Sequence, residues 1–310
     1  MTIHVLCLNP AIDKIYEIDG FAAGEDYPGQ RPRLLVGGKG VNVARVLSQL
    51  GANVRLYAFL GETGGDVFRR DMQPRCACTF ISVPGACRTT VNVIDRKSGK
   101  ETVITEAGPE VSDAHVAQLL DALDAHVNDG DIVCCSGSVI AGAPEDIYAR
   151  VSRLAQSKGA RCALDCNAGA MARSLDGARY MLGKPNEREL CAYLGVPRTQ
   201  QPQEIARLAR SLMPPYDALL VSMGEKGGVY VTKENAYLAR VPKEPVVSTV
   251  GSGDAAFAGA VLARARGESE QETLRLAMAC GAANALRADV GSVDPADVER
   301  ILSGIAITRL

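Results

Sequence analysis

Residues 249–254 read Thr-Val-Gly-Ser-Gly-Asp, and an uncharged apolar run from Ala255 to Ala263 follows them. Glycines at 251 and 253 let the backbone turn so that N–H groups converge with no Cβ in the way. The start of a helix adds its dipole, so Gly251, Ser252 and Gly253 can form an anion hole, and a phosphoryl group in transfer is its natural occupant. Asp254 then sits where that group arrives and can accept the proton of an attacking hydroxyl. A helix N-terminus stabilises a carboxylate and weakens it as a base. In a loose phosphoryl transition state, however, the proton leaves late and orientation matters more than basicity. A simple cap would use the same residues, since Asp is a favoured N-cap and Gly a favoured turn residue. The apolar run has no polar face, so its helix is buried with its N-terminus open to a cleft. The turn is neither a P-loop nor a dinucleotide fingerprint, which needs a third glycine after the first strand.

Positioning such a turn requires a sheet. Short β-rich runs alternate with helical periodicity, as in βαβ units around a mostly parallel sheet. The strands expected are His4–Leu8, Val54–Phe59, Ile132–Cys135, Arg161–Asp165, Tyr180–Leu182, Ala218–Ser222 and Val229–Val231, with Pro245–Ser248 leading into the turn. Val43, Val46, Leu47 and Leu50 keep helical spacing until Gly51, and Val116, Leu119, Leu123 and Val127 do so after an N-cap at Ser112. Pro144 opens a further helix that turns Ile147, Val151 and Leu154 inward. The helix after the turn runs to about Arg266, and Ser269-x-x-Glu272 reads as a capping box for the next. Residues 11–36 and about 76–106 break the alternation with strands and turns alone. Together they can form a small β-sheet lid, and its edges invite a second copy, hence a homodimer.

Composition narrows the field. A chain of 310 residues, 47% hydrophobic and 23% charged, suits one α/β domain. With 34 basic against 36 acidic residues it has no broad basic field for nucleic acid or a membrane surface. The ten cysteines lie mostly in expected strands and helices, and Cys76-x-Cys78 matches no paired zinc spacing, so they read as small hydrophobes in a reducing compartment. No long apolar run and no basic-then-apolar N-terminal stretch occurs, so a cytoplasmic location is expected.

Four stretches, LNPAID (8–13), GGKGVNVARVLSQLG (37–51), KPNERE (184–189) and VVSTVGSGDAAFAG (246–259), together resemble the phosphofructokinase B family of carbohydrate kinases, in the ribokinase superfamily. The likeness spans most of the chain in the family's order, and looks strongest to the sugar-phosphate branch of 1-phosphofructokinases and tagatose-6-phosphate kinases. It implies a ribokinase-like three-layer sandwich, mostly parallel, with a lid. It also implies Asp254 as base, the Gly251–Gly253 amides as anion hole, and Asp13, at the end of the first strand, as a ligand of sugar hydroxyls. Gly37, Gly38, Lys39 and Asn42 match the sugar-contacting motif, Arg88 the contact to an existing phosphate, and Ser136 a further substrate position. Asn186 and Glu189 match the family's N-x-x-E motif and could hold Mg²⁺ through its water shell. Lys184, Ser222, Gly224, Gly227 and Thr249 match the ATP side, with Asn284 near the adenine. Residues 246–250 and 288–292 resemble loops that bind a monovalent cation such as K⁺.

The chain departs from the family at three places. Tyr27-Pro28-Gly29 stands where an Asn-Arg or a lysine is common, so a sugar or phosphate contact is either missing or supplied by Arg31 or Arg33. Val139-Ile140-Ala141-Gly142 replaces a proline-rigid turn, and DCNAGA (165–170) the commoner Ser-Gly form. The reading is transfer of the γ-phosphoryl of Mg-ATP to a ketohexose phosphate, first fructose 1-phosphate. Its alternatives are tagatose 6-phosphate or fructose 6-phosphate, an unphosphorylated sugar or nucleoside, and a silent sugar-binding protein.

Overall fold

The computed structural model describes residues 1–310, apart from the side chain of residue 168. Along the chain come β1 (Ile3–Cys7), β2 (Ala11–Ile18), β3 (Arg33–Gly37), α1 (Lys39–Gln49), β4 (Val54–Thr63), α2 (Gly65–Met72), β5 (Ala77–Ala86), β6 (Arg88–Asp95), β7 (Glu101–Thr105) and α3 (Asp113–His126). Then follow β8 (Ile132–Ser136), α4 (Ile147–Ser157), β9 (Arg161–Asp165), α5 (Ala168–Arg173), β10 (Leu182–Gly183), α6 (Glu187–Leu194), α7 (Pro202–Arg210), β11 (Ala218–Ser222), β12 (Gly228–Thr232) and β13 (Ala236–Arg240). The chain ends with α8 (Ser252–Ala265), α9 (Glu270–Ala285), α10 (Pro295–Gly304) and β14 (Ala306–Arg309).

The large sheet has the order β14-β13-β12-β11-β10-β9-β8-β1-β4-β5. From β5 to β11 neighbouring strands are parallel, and β12 to β14 extend the edge antiparallel. Side-chain alternation sends Val5 and Cys7 of β1 and Leu56 and Ala58 of β4 to one core, and Leu6, Tyr57 and Phe59 to the other. Helices α1, α2, α8, α9 and α10 cover the first face and α3 to α7 the second. Both faces are dry, which is why the parallel strands read as continuous apolar runs. The small sheet, of order β3-β2-β6-β7, stands apart. Its centre is the parallel pair β2/β6, which starts at Ala11 opposite Arg88.

Five sequence expectations need correction. Residues 77–86 are not part of the small sheet but the edge strand of the large one, beside β4. Ile81 and Val83 enter one core and Cys78 and Phe80 lie against the other, so the strand has no polar face to mark it. Asp13 is not at the exit of the first strand but inside β2 of the small sheet. Pro245–Ser248 forms no strand; prolines at 242 and 245 remove donors, and the amides of Val247 and Ser248 go instead to the Ala285 carbonyl. Pro144 lies in the turn before α4, accepting from Ile147 N–H, rather than in the helix. At α9, Ser269 caps Glu272 N–H, but the Glu272 carboxylate turns to Arg275 and leaves the box half made.

Candidate active site

Strands β1, β8 and β9 end side by side at the carboxyl edge, where the strand order reverses and open α/β sheets bind ligands. Above their ends lies a cavity of about 190 Å³ lined by Asn9, Lys39, Arg88, Ser136, Ser138 and Asn167 among others. The first strand of the small sheet returns over it and brings Asp13, whose carboxyl is pushed up by burial while Thr90 and Arg88 act against that shift. Gly37 makes room for it: a Cβ there would stand 2.2 Å from Asp13 Oδ2. Asn9 Oδ1, Arg88 Nε and Ser136 Oγ are buried there without a partner. A buried polar atom left unpaired costs about 1–3 kcal/mol. Several in one cavity therefore mark the seat of a polar ligand.

Behind this cavity is an ionic cluster. Asp165 at the end of β9 is fully buried, 2.9 Å from Lys39 Nζ and 3.4 Å from Lys184 Nζ. Burial pushes its carboxyl up, but the two lysines outweigh burial and hold it below the usual carboxylate range. Lys39 is held above its ordinary value, chiefly by Asp165, and stays charged. Asp254, in the first turn of α8, behaves in the opposite way: burial and the Asp165 charge push it up to about 6, against the pull of Lys39, of Asn42 and of Lys184. Asn42 Nδ2 donates to its Oδ2 at 2.8 Å. Two carboxyls driven apart in acidity, one a fixed anion and the other able to exchange a proton near neutrality, is how a fold separates charge stabilisation from base chemistry.

The turn before Asp254 is sharper than a cap requires. Gly251 takes the left-handed conformation, φ 80°, and a Cβ on it would lie 2.7 Å from Gly291 N. The Ser252 amide is used within the turn, donating to the Thr249 carbonyl at 3.2 Å. Among the described hydrogen bonds the amides of Gly251, Gly253 and Asp254 have no acceptor. The amides this turn leaves free are thus those of Gly251, Gly253 and Asp254, with Ser252 closing the turn. Lys184 Nζ lies 3.4 Å from where a Gly253 Cβ would be, so it adds charge to the same place. Asn284, matched above to the adenine side, is engaged inside the protein. It is fully buried, its Nδ2 donates to Val250 O and Ser252 Oγ, and its Oδ1 accepts from Ser292 N–H. Its amide ties the turn to residues 288–292.

Asn186 and Glu189 prove to be a capping box for α6: Asn186 Oδ1 accepts from Arg188 and Glu189 N–H, and Glu189 Oε2 accepts from Asn186 N–H. That box fixes Glu189 near Lys39, whose charge it supports. Among the described residues no cluster of ligating side chains forms a metal cage. Mg²⁺, which keeps its waters and takes few protein ligands, would be held here by the Glu189 carboxylate oxygen that the capping box does not use. Ser222 pairs with Asn186 in a bridge at the end of β11, and Gly224 and Gly227 both have positive φ in the turn that follows. Thr249 is exposed at the rim.

Sequence reasoning missed several neighbours. Asn9 and Ser138 line the cavity and bond to each other at 3.2 Å. Asn167 also lines the cavity, and caps α5 by accepting from Ala170 N–H. Neither substitute for the missing lid contact enters the cavity lining. Arg33 pairs with Asp289, and Arg31 is exposed. Tyr27 serves its own loop, bonding Gly20 O and Ala22 N–H.

The chain is 28% identical to the 1-phosphofructokinase of Bacillus subtilis (strain 168) over 309 residues, 99% of this chain and 100% of the relative. It superposes on phosphofructokinase-2 from Escherichia coli in complex with potassium with a TM-score of 0.90 at 23% identity, covering 98% of each chain. On ribokinase from Thermotoga maritima the TM-score is 0.77 at 18% identity, over 98% and 99% of the chains, which establishes a ribokinase-like fold. No helix is long and apolar enough to cross a membrane. Residues 6–297 match the pfkB family carbohydrate kinases, and the chain belongs to that family of phosphotransferases acting on an alcohol group of a sugar.

Proposed function

We propose that the acceptor is a ketohexose phosphate, first among them fructose 1-phosphate, which becomes fructose 1,6-bisphosphate. The observation that carries this is Arg88, whose buried Nε lacks a partner while its Nη2 is anchored on the Asn9 carbonyl at 3.0 Å. A guanidinium fixed at one end, with an unpaired N–H, on a residue that lines the cavity suits a phosphate already on the sugar. The Bacillus subtilis relative supports the same substrate. Asp13 and Asn42 bind sugar hydroxyls, and Asp254 takes the proton from the one that attacks. The amides at the start of α8, with Lys39 and Lys184, stabilise the negative charge on the transferring group. Mg-ATP supplies the electrophilic phosphoryl group, with Glu189 and Asn186 on the metal side. Closure of the small sheet over the sugar excludes water and suppresses idle hydrolysis.

Coupled ADP release with fructose 1-phosphate, fructose 6-phosphate, tagatose 6-phosphate, fructose and ribose tests the substrate. The highest kcat/KM is expected on fructose 1-phosphate. In Arg88→Ala the KM for it should rise by a factor on the order of 10–100. Turnover on free sugars alone, or an unmoved KM, would overturn the phosphosugar assignment. Two assembly features belong to the same reading. All of β7 is exposed, as are Leu34, Val103 and Ile104, so a second copy is expected to dock on the small sheet. A monomeric mass at micromolar concentration by ultracentrifugation excludes that. Residues 246–250 and 288–292 are assigned to a monovalent cation, expected to make activity higher in potassium than in tetramethylammonium buffer. The place of action is the cytoplasm, where the ten cysteines stay reduced.

A further inference from the structure

Arg45 is a buried cation that none of the steps above uses. Its Nη2 donates to the Val36 carbonyl of β3 at 2.7 Å and to Asp71 Oδ2 of α2 at 3.0 Å. Its Nη1 donates to the Val290 carbonyl at 2.9 Å and to Asn42 Oδ1 at 3.2 Å. The last bond has a consequence for the base. A guanidinium carries donors only, so the oxygen face of the Asn42 amide must meet Arg45 and the NH₂ face must point away. On that other side stands Asp254 Oδ2, an acceptor, 2.8 Å from Asn42 Nδ2. A flipped amide would place oxygen against carboxylate and NH₂ against guanidinium, both repulsive. Arg45 therefore decides which way Asn42 faces.

We propose that Arg45 is a positioning residue for phosphoryl transfer: it holds Asn42 so that its NH₂ presents the Asp254 carboxylate to the sugar hydroxyl, and it ties that geometry to the small sheet through Val36 and to residues 288–292 through Val290. This rests on the reading of Asp254 as the base. The charged and titratable groups that act on Asp254 come from other places: Asp165 on β9, Lys39 on α1, Lys184 after β10, and the Cys7 thiol on β1, which burial pushes up to about 11 and keeps neutral. None of these bonds Arg45, but Arg45 also anchors Val36, Val290 and Asp71 and its charge acts on Asp13 of β2, so it is the Asn42→Ala background that isolates the Asn42 hydrogen bond.

The test is the pH profile of kcat, from about pH 5 to about pH 9, for wild type, Arg45→Met, Asn42→Ala and the double variant. Losing a hydrogen bond to a charged acceptor moves the acid limb up by about one pH unit, so the Arg45→Met defect should be about tenfold deeper at the acid end than at the alkaline end. In the Asn42→Ala background the Arg45 substitution should move the limb no further. A limb that stays put while kcat falls evenly, or one that moves equally in both backgrounds, overturns the proposal. Should Arg45→Met fail to give a folded circular dichroism spectrum, Arg45→Lys carries the test. It lacks the fork that joins Val290 to Asn42, and a limb shift of about half a unit is expected, with no shift overturning the idea. Asp254→Asn separates the two readings. Near-normal kcat in that variant would reject Asp254 as base, whereas an inactive variant beside an unmoved Arg45 limb rejects only the role of Arg45.

Discussion

Two buried polar clusters sit at opposite ends of β1, and they differ in what they leave unpaired. At the amino edge His4 Nε2 lies 3.2 Å from Asp131 Oδ2 and its Nδ1 3.0 Å from the Tyr57 hydroxyl, while Thr2 and Asn128 N–H donate to the same Asp131 carboxylate. At the carboxyl edge Asn9, Arg88 and Ser136 keep buried atoms with no partner. The amino edge even has the larger cavity, about 250 Å³ against about 190 Å³. Cavity size and unsatisfied polarity thus point to different ends, and unsatisfied polarity is the stronger sign, because a satisfied network stabilises the fold and an unsatisfied one awaits a ligand.

The sharpest way to break this contrast is to substitute one acid at each end. Asp254→Asn should lower kcat by a factor on the order of 10²–10⁴ while sugar binding survives. The same change should raise stability. Above about pH 6 the fold holds Asp254 as a buried anion it disfavours, so removing that charge is expected to contribute about 1–2 kcal/mol at mildly alkaline pH and a few degrees in Tm. Asp131→Ala should do the reverse. It strands His4 and two backbone amides, which costs about 2–4 kcal/mol in a denaturant melt, and it should leave kcat within about twofold. A matching loss of activity in both variants would dissolve the distinction.

Legibility in the sequence followed locality. The Gly251–Asp254 turn was readable because a two-glycine turn and an apolar helix are contiguous. The α/β class was readable from alternation. Strand β5 was not, since both of its faces meet apolar cores and it resembled the neighbouring lid segment. Asn186 and Glu189 carried the N-x-x-E spacing of a capping box, a signal present in the sequence but assigned only to metal. Arg45 was the hardest. An arginine inside an amphipathic helix reads as a solvated residue, and three of its partners, at 36, 71 and 290, lie elsewhere in the chain. Its only local sign is the i, i+3 spacing from Asn42.

Within the active edge, two glycines two residues apart sharpen the comparison at smaller scale. Gly251→Ala forces a left-handed φ of 80° on a residue with a Cβ and drives that Cβ into Gly291 N at 2.7 Å. It should lower kcat/KM by a factor on the order of 10–100 through a displaced anion hole. Gly253→Ala meets only Lys184 Nζ, at 3.4 Å, an ordinary contact distance, so less than about a tenfold loss is expected. Equal losses would mean that the hole tolerates no side chain anywhere, rather than depending on the shape of one turn.

The smallest effect is a slope of stability with pH, and it sets the two edges against each other. Burial depresses His4 below its ordinary 6.5, with Asp131 acting against that shift. Below 6.5 the unfolded chain takes up a proton that the fold resists, so this contribution is complete above that pH and is lost on acidification. Asp131 is burdened by burial, but its bonds from Thr2, His4 and Asn128 hold it below 3.8, so its contribution is lost only at lower pH still. Asp254 has the opposite sign: with a folded value of about 6 against an ordinary 3.8, it takes up a proton in the fold first and gains stability as pH falls through that window. Between about pH 6.5 and about pH 4.5 the two ends therefore pull the wild-type Tm in opposite directions. Asp254→Asn removes the gain and should reveal a steeper acid loss by calorimetry, and adding His4→Gln should flatten it again. If the single variant keeps the wild-type slope, Asp254 does not titrate in that window, and the carboxyl edge stores no such tension.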